Sequence, residues 1–133
     1  MKTYCNCAAE AAAACLDRVK QLRYVSHLEQ ECFLALPLDA KNRLIGAVVL
    51  VAVGSATTVE VHPRDVFRAA IRRNAASLIV AHTHPSGDCE PSREDLRLTE
   101  RLKQSGQLLG IPVLDHIIFR RSEYVSLQER GRL

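Results

Sequence analysis

Residues 77–85 have the sequence Ser-Leu-Ile-Val-Ala-His-Thr-His-Pro, which predicts a buried strand with two histidines at its carboxyl end. A short, uninterrupted apolar run is typical of a strand that is covered on both faces. Residues two apart on a strand point to the same face, so His82 and His84 can reach one common point while Thr83 points away. Pro85 lacks a backbone donor for the sheet, and we therefore expect the strand to end there.

The residues after this strand supply a third polar group at a defined distance. A turn-rich loop leads to Ser92, which is placed to begin a helix, and Asp95 then lies in the first helical turn. Two imidazoles and one carboxylate leave the fourth position of a tetrahedral zinc ion open to water, as in catalytic sites. The sequence therefore predicts one zinc ion per chain, bound by His82, His84 and Asp95.

Simpler interpretations exist for each half of this pattern. Ser92-x-x-Asp95 is also the spacing of a capping box, in which each residue's side chain accepts a hydrogen bond from the other's backbone amide. A His-x-His pair by itself occurs in ordinary sheets. The combination at the full spacing, with Pro85 and Pro91 on either side of the loop, favours the metal site over both of these alternatives.

A catalytic zinc site also needs a general base outside the metal's own ligands. Our candidate is Glu31, which stands between a predicted amino-terminal helix and the predicted strand at 32–36. From that junction a carboxylate can project from the sheet edge toward the end of a neighbouring strand. Glu29 is the alternative base.

The spacing His-x-His-x7-Ser-x2-Asp resembles that of the JAMM (MPN-plus) metalloproteases, and the RadC branch fits best, over roughly residues 31–133. The shared segments are Leu38 to Asn42, Val61 to Val66, His84 to Gly87, Pro91-Ser92 and Leu114 to Ile118. The resemblance implies an α/β fold similar to that of cytidine deaminases, with a mixed sheet flanked by helices and the three zinc ligands named above. It further implies that Glu31 is the base, that Ser92 positions the water or the developing oxyanion, and that a peptide or isopeptide bond is hydrolysed.

Two departures from the family pattern affect these expectations. The family usually has Asn where this chain has Thr83, so we expect altered surroundings of the metal but not a lost site. Longer RadC proteins carry a helical amino-terminal region, whereas about 30 residues precede the core here. Functions of that region are expected to be absent, and the association of RadC proteins with DNA repair has no independent support in these residues.

The chain of 133 residues predicts a single domain with an amino-terminal helix in residues 1–30 and a core over residues 31–133. Asp115-His116 lies in an apolar strand, where we expect a buried histidine bonded to backbone or to a carboxylate. The predicted elements are a helix over Ala8–Leu28, strands over Phe33–Leu38 and Leu44–Val53, a short strand, a helix from Pro63 to about Asn74, the strand ending at the histidines, a helix over Arg93–Leu109, and strands near Val113–Phe119 and Tyr124–Leu127.

Composition predicts a cytoplasmic protein without a membrane segment. The longest apolar run, Ile45 to Val53, is far shorter than the roughly 20 residues that span a bilayer. An odd number of cysteines without a signal peptide indicates a reducing compartment. Cys89 lies between the predicted ligands, and its thiolate could occupy the open zinc position, although an inert loop cysteine is the favoured interpretation.

Arginines recur four residues apart on two predicted helices, as Arg64, Arg68 and Arg72 and as Arg93, Arg97 and Arg101. Aligned arginines bind phosphates, but solvated helix faces show the same pattern. The chain has no Trp, and no nucleic-acid recognition motif accompanies the arginines. Nucleic-acid binding is therefore a weakly supported alternative.

The sequence as a whole predicts a zinc-dependent hydrolase, foremost a metallopeptidase that cleaves a peptide or isopeptide bond in an unidentified substrate. Two alternatives stay open: a non-catalytic module that binds nucleic acid or protein, and a metal-dependent nuclease. Pro-Cys-x-x-Cys and His-Glu-x-x-His are absent, which excludes a zinc nucleobase deaminase and a helical zinc protease.

Overall fold

The computed structural model describes residues 31–54, 60–84, 89–120 and 123–133. The predicted helix Ala8–Leu28 lies outside the described residues, so the division into an amino-terminal helix and a core stays a prediction. The described elements are β1 (Cys32–Leu38), β2 (Val49–Val53), α1 (Pro63–Arg72), β3 (Ser77–Thr83), α2 (Arg93–Leu109), β4 (Val113–Arg120) and β5 (Glu123–Ser126). Neither described helix is long and apolar enough to cross a bilayer.

The described strands form one mixed sheet in the order β2-β1-β3-β4-β5. β1 is antiparallel to both of its neighbours, β3 is parallel to β4, and β4 is antiparallel to β5. A parallel pair needs a crossover connection, and α2 provides it between β3 and β4. The predicted α/β class with a mixed sheet is confirmed.

Both faces of the central strands are buried. Leu34, Leu36 and Ile79 belong to one apolar cluster, and the alternate residues Phe33 and Val80 belong to another. The second cluster also contains Val66, Phe67 and Ala70 of α1 and Leu102 of α2, so the helices cover this face. His82 is an even-numbered strand residue like Val80, and it therefore projects toward the helix-covered face.

Most predicted boundaries agree with the structure within two residues, and α2 agrees at both ends. The strand predicted over Leu44–Val53 is too long, because only Val49–Val53 forms a strand and Leu44 forms an isolated bridge with Leu38. The Arg73 guanidinium donates to the carbonyls of Ile45 and Ala47 at 2.9 and 2.7 Å, which replaces strand pairing there. The predicted short strand before α1 is not seen in residues 60–62 and otherwise lies outside the described residues.

The carboxyl end of α2 packs tightly against the segment that leads into β4. Gly110 ends the helix with a positive φ of 73°, and the Ile111 amide donates to the Gly106 carbonyl at 2.9 Å. A Cβ atom added to Gly106 would lie 2.5 Å from the Ile111 carbonyl oxygen and 3.4 Å from the Phe67 ring. The absence of a side chain at Gly106 therefore permits the close approach of α2 to the segment that leads into β4.

We predict that Gly106→Ala lowers the free energy of unfolding by about 1–3 kcal/mol, the usual cost of overpacking. The same change at an unhindered helical position would stabilise the protein by up to about 1 kcal/mol. Urea denaturation measures the difference. Ser105→Ala is the control: Ser105 is a partly buried neighbour on α2 whose hydroxyl bond is solvent-exposed, and its removal should change stability by less than about 0.5 kcal/mol. A Gly106→Ala protein as stable as the wild type would contradict the packing described here.

Candidate metal centre

Three polar side chains meet where β3 ends and α2 begins. The Nε2 atoms of His82 and His84 lie 2.8 Å apart. The Asp95 carboxylate lies against both rings, with Oδ1 3.2 Å from His82 Nε2 and Oδ2 3.2 Å from His84 Nε2. The side chains are 4, 15 and 16% exposed, so the group is shielded but reachable from solvent. The structure thus brings together the three residues that the sequence predicted as zinc ligands.

Backbone pairing and ring stacking hold the two histidines. His82 lies inside β3, which ends at Thr83, and its ring stacks on Phe33 with centroids 5.9 Å apart. His84 follows the strand, but its amide donates to the Phe119 carbonyl at 3.2 Å. This bond continues the pairing with β4 and fixes the backbone that carries the second imidazole.

The helix cap orients the carboxylate. Ser92 Oγ accepts from the Asp95 amide at 3.1 Å, and Asp95 Oδ2 accepts from the Ser92 amide at 2.8 Å. Both bonds of the capping box are therefore present while the same carboxylate contacts both imidazoles. The two interpretations of Ser92-x-x-Asp95 are compatible, because the cap fixes the rotamer that faces the histidines.

The electrostatics of the site favour an ionised carboxylate. Burial raises the pKa of Asp95, but hydrogen bonds with His82 and His84, the electrostatic interaction with His82 and the hydrogen bond from the Ser92 amide together lower this pKa well below its usual range. Asp95 is therefore negatively charged at neutral pH, which is the form that binds a cation.

The donor set fits a zinc ion. Two neutral imidazoles that face each other repel through their lone pairs unless a proton or a cation lies between them. Ligands at about 2.0–2.1 Å from a tetrahedral ion are about 3.3 Å apart. The observed separations of 2.8–3.2 Å need to open by only a few tenths of an ångström. Among the described residues, His82, His84 and Asp95 form the group that could bind a metal.

A second layer of buried polar groups lies behind His82. His116 on β4 has no exposed surface, and its Nε2 lies 2.7 Å from His82 Nδ1. Its Nδ1 lies 2.5 Å from Oγ1 of Thr99 on α2. Burial lowers the pKa of His116 most, and the nearby His82 lowers it further, so the ring is neutral.

The expected partners of His116 were wrong, because its ring bonds to another imidazole and a hydroxyl rather than to backbone or a carboxylate. The Asp115 carboxylate instead accepts from the Ser126 hydroxyl and from the amides of His116 and Gln128. Burial is the largest influence on the pKa of Asp115 and raises it. A polar residue inside an apolar strand was the available signal, but the sequence did not indicate which strand lay beside it.

Comparison with known proteins gives a family for this arrangement. Residues 7–132 match the family model described as the RadC-like JAB domain. The chain belongs to this family. The mixed sheet with its helices agrees with the JAB/MPN fold that the resemblance implied.

Relatives of the RadC-like chain are identical to it at about half of the aligned positions. A UPF0758 protein of Syntrophotalea carbinolica is 52% identical over 79% of this chain and 46% of its own length. UPF0758 proteins of Caldanaerobacter subterraneus and Thermotoga maritima are each 47% identical, over 85 and 86% of this chain and 47 and 51% of their own lengths. The chain thus spans about half the length of these relatives, and their names state no activity.

Glu31 lies immediately before β1 and is half-buried. Its carbonyl accepts from the Gly54 amide at 2.8 Å. β1 pairs with β3 so that Phe33 is opposite His82, and continuing this register by two residues places Glu31 opposite His84. Opposite residues of an antiparallel pair share a face, which suits a base for this site. Glu29 lies outside the described residues, so the choice between the two glutamates stays a prediction.

Two further residues near the motif point away from the three ligand candidates. Thr83 Oγ1 accepts from the Cys32 amide at 2.9 Å, in agreement with the predicted outward orientation. Cys89 is buried in an apolar cluster with Ile118, and its thiol donates to the Glu123 carbonyl at 3.6 Å. This environment favours the inert interpretation of Cys89.

The first row of arginines, on α1, borders an apolar groove of about 600 Å³ between α1 and α2. Arg64, Arg68 and Arg72 line it together with apolar side chains that include Ile71 and the 89% exposed Leu108. Arg68 also pairs with Asp65 at 3.1 Å. The groove has an apolar floor, and nucleic-acid binding by these arginines stays a prediction.

We predict that the wild-type chain binds one zinc ion and that His84→Ala and Asp95→Asn weaken binding by at least about 100-fold. Changes outside the ligand shell commonly cost 10- to 100-fold, so loss of a ligand should cost no less. Asn keeps an oxygen that can accept from the Ser92 amide, which separates metal binding from helix capping. Elemental analysis and calorimetric titration measure stoichiometry and affinity.

Glu94→Gln is the matched control, because Glu94 is the neighbouring acidic residue in the same helical turn and is exposed. Its zinc affinity should stay within about threefold of the wild type. A wild-type chain that stays metal-free after exposure to zinc would contradict the metal centre.

Proposed function

We propose that this RadC-like domain is a zinc-dependent hydrolase that cleaves a peptide or isopeptide bond. The observation that carries the proposal is the convergence of two imidazole nitrogens and one carboxylate at the end of β3. Membership in the RadC-like JAB family supports the same class of reaction through its resemblance to the JAMM metalloproteases.

His82, His84 and Asp95 would hold the ion, with three protein ligands as in other catalytic zinc sites. Bound zinc would supply Lewis acidity, which polarises a carbonyl and makes water nucleophilic near neutral pH. The protein's contribution is a fixed ligand geometry, because strand pairing, ring stacking and the helix cap each hold one of the three side chains.

Glu31 is the proposed general base and general acid. Its carboxylate would accept a proton from the attacking water as the oxygen bonds to the carbonyl carbon, and would then donate this proton to the leaving nitrogen as the C–N bond breaks. The extended register between β1 and β3 supports this role, because it places Glu31 on the face of the sheet that carries His84.

Ser92 is the proposed stabiliser of the developing oxyanion. Its Oγ accepts from the Asp95 amide, which leaves the hydroxyl hydrogen available to donate. The residue is exposed at the start of α2, where a substrate carbonyl can approach the three ligand candidates. A hydrogen bond that forms with the oxyanion would lower the barrier of the addition step.

We predict that the zinc-loaded chain cleaves amide bonds and that Glu31→Gln lowers kcat by at least about 100-fold with unchanged zinc content. General acid–base catalysis commonly contributes 10²- to 10⁴-fold. A peptide with an ε-linked lysine, its α-linked counterpart and a single-stranded oligonucleotide are the substrates, with cleavage followed by mass spectrometry. Glu94→Gln serves as the control and should retain the wild-type rate.

Other outcomes of this assay would select the alternatives. A loss of rate in Glu29→Gln but not in Glu31→Gln would assign the base to Glu29. Cleavage of the oligonucleotide alone would replace the peptidase by a nuclease. Zinc binding without cleavage, combined with salt-dependent affinity for DNA, would favour the non-catalytic binding module.

A further inference from the structure

A chain of buried hydrogen bonds connects α2 to the proposed metal ligand His82. Thr99 Oγ1 lies 2.7 Å from the Asp95 carbonyl oxygen and 2.5 Å from His116 Nδ1. His116 Nε2 in turn lies 2.7 Å from His82 Nδ1. Thr99, His116 and His82 are 3, 0 and 4% exposed, so water does not compete for these bonds.

The hydrogen bonds that connect Thr99, His116 and His82 can run in either of two directions. A neutral imidazole has one N–H donor and one nitrogen acceptor. His116 is neutral because it is completely buried and its ring nitrogens face a hydroxyl and an imidazole rather than a carboxylate. Its two nitrogens therefore play opposite roles, and the direction of one bond determines the direction of the next.

Only one direction leaves a nitrogen that can bind a metal. In this direction the Thr99 hydroxyl donates to the Asp95 carbonyl, His116 Nδ1 donates to Thr99, and His82 Nδ1 donates to His116. His82 Nε2 then has a free lone pair directed at His84 and Asp95. In the reverse direction Thr99 donates to His116, His116 donates to His82, and His82 Nε2 carries a hydrogen in place of a metal bond.

We propose that Thr99 and His116 are positioning residues that hold His82 as the tautomer whose Nε2 binds zinc. This inference rests on the proposed function, because it takes His82 as a zinc ligand. The Asp95 carbonyl is essential to it, since it gives the Thr99 hydroxyl an acceptor other than His116. Asp95 therefore serves the site twice, through its carboxylate as a ligand and through its backbone as the end of the hydrogen-bond chain.

Thr99→Val tests the proposal with little change in shape. In the metal-competent direction His116 Nδ1–H would lose its acceptor and stay buried, which penalises the zinc-bound state. We expect zinc affinity to fall about 10- to 100-fold, as for other changes behind a metal ligand. The conservative variant Thr99→Ser keeps the hydroxyl and should bind within about threefold of the wild type. Competition with a chromophoric chelator measures these affinities.

Ser105→Ala is the matched control on the same helix. The Ser105 hydroxyl also donates to the carbonyl four residues earlier, that of Arg101 at 2.8 Å, but this bond is solvent-exposed and takes no part in the buried hydrogen-bond chain. Its removal should leave zinc affinity unchanged. Thermal unfolding of each metal-free variant, followed by circular dichroism, identifies any loss of affinity that comes from a loss of folding.

Imidazole nitrogen chemical shifts provide a readout that a packing role would not change. In the metal-free wild type and Thr99→Ser we expect a larger share of His82 to be protonated at Nδ1 than in metal-free Thr99→Val. In metal-free Thr99→Val we expect a shift toward the Nε2–H form. ¹⁵N spectra of histidine-labelled protein, assigned by substituting His82 and His116 in turn, distinguish the two tautomers.

A second pair of variants decides the question if Thr99→Val does not fold. His116→Gln keeps a side-chain oxygen that can accept from His82 Nδ1, whereas His116→Leu does not, and we expect Gln to bind zinc at least about tenfold more tightly. A wild type that binds no zinc would overturn the proposed function. If the wild type binds zinc and Thr99→Val binds it with equal affinity, this inference alone would be overturned. Equal zinc affinities of His116→Gln and His116→Leu would have the same consequence.

Discussion

The parallel pairing of β3 with β4 is the constraint on which the rest of the structure depends. Parallel neighbours require a crossover, so α2 must start near the carboxyl end of β3 and finish near the amino end of β4. This path places the first turn of the helix beside His84. It also places β4, with His116, alongside the strand that carries His82. The positions of the ligand candidates and of the residues behind them therefore follow from one crossover connection.

The site concentrates polar groups in a part of the fold that is otherwise apolar. A buried polar group without a partner costs about 1–3 kcal/mol. Here the rings of His82 and His116 and the hydroxyl of Thr99 satisfy one another, and Phe33 covers two of the rings. Because each group depends on its neighbour, the positions of these side chains are coupled to one another.

Much of the fold could be predicted from local signals. The run ending in His82 and His84 gave β3, and Ser92 with Gly110 gave both ends of α2, because caps depend on nearby residues. The predicted length of β2 was too great. The carbonyls of Ile45 and Ala47 bind Arg73, which is distant in sequence. The burial of His116 was predicted, but its bonds to His82 and Thr99 were not, because they depend on which strand lies beside β3. The predicted roles of Glu31 and Ser92 in catalysis remain predictions.

α2 is held at both of its ends, by the capping box at Ser92 and by the close approach of Gly106 to Ile111. A helix held in this way tolerates substitutions on its exposed face but not a change in length. One residue inserted between Asp95 and Gly106 would turn one end relative to the other by about 100° and displace it by about 1.5 Å. The carboxylate would then leave the histidines, or the glycine would leave its contact. In related chains the number of residues from 95 to 106 should therefore stay constant.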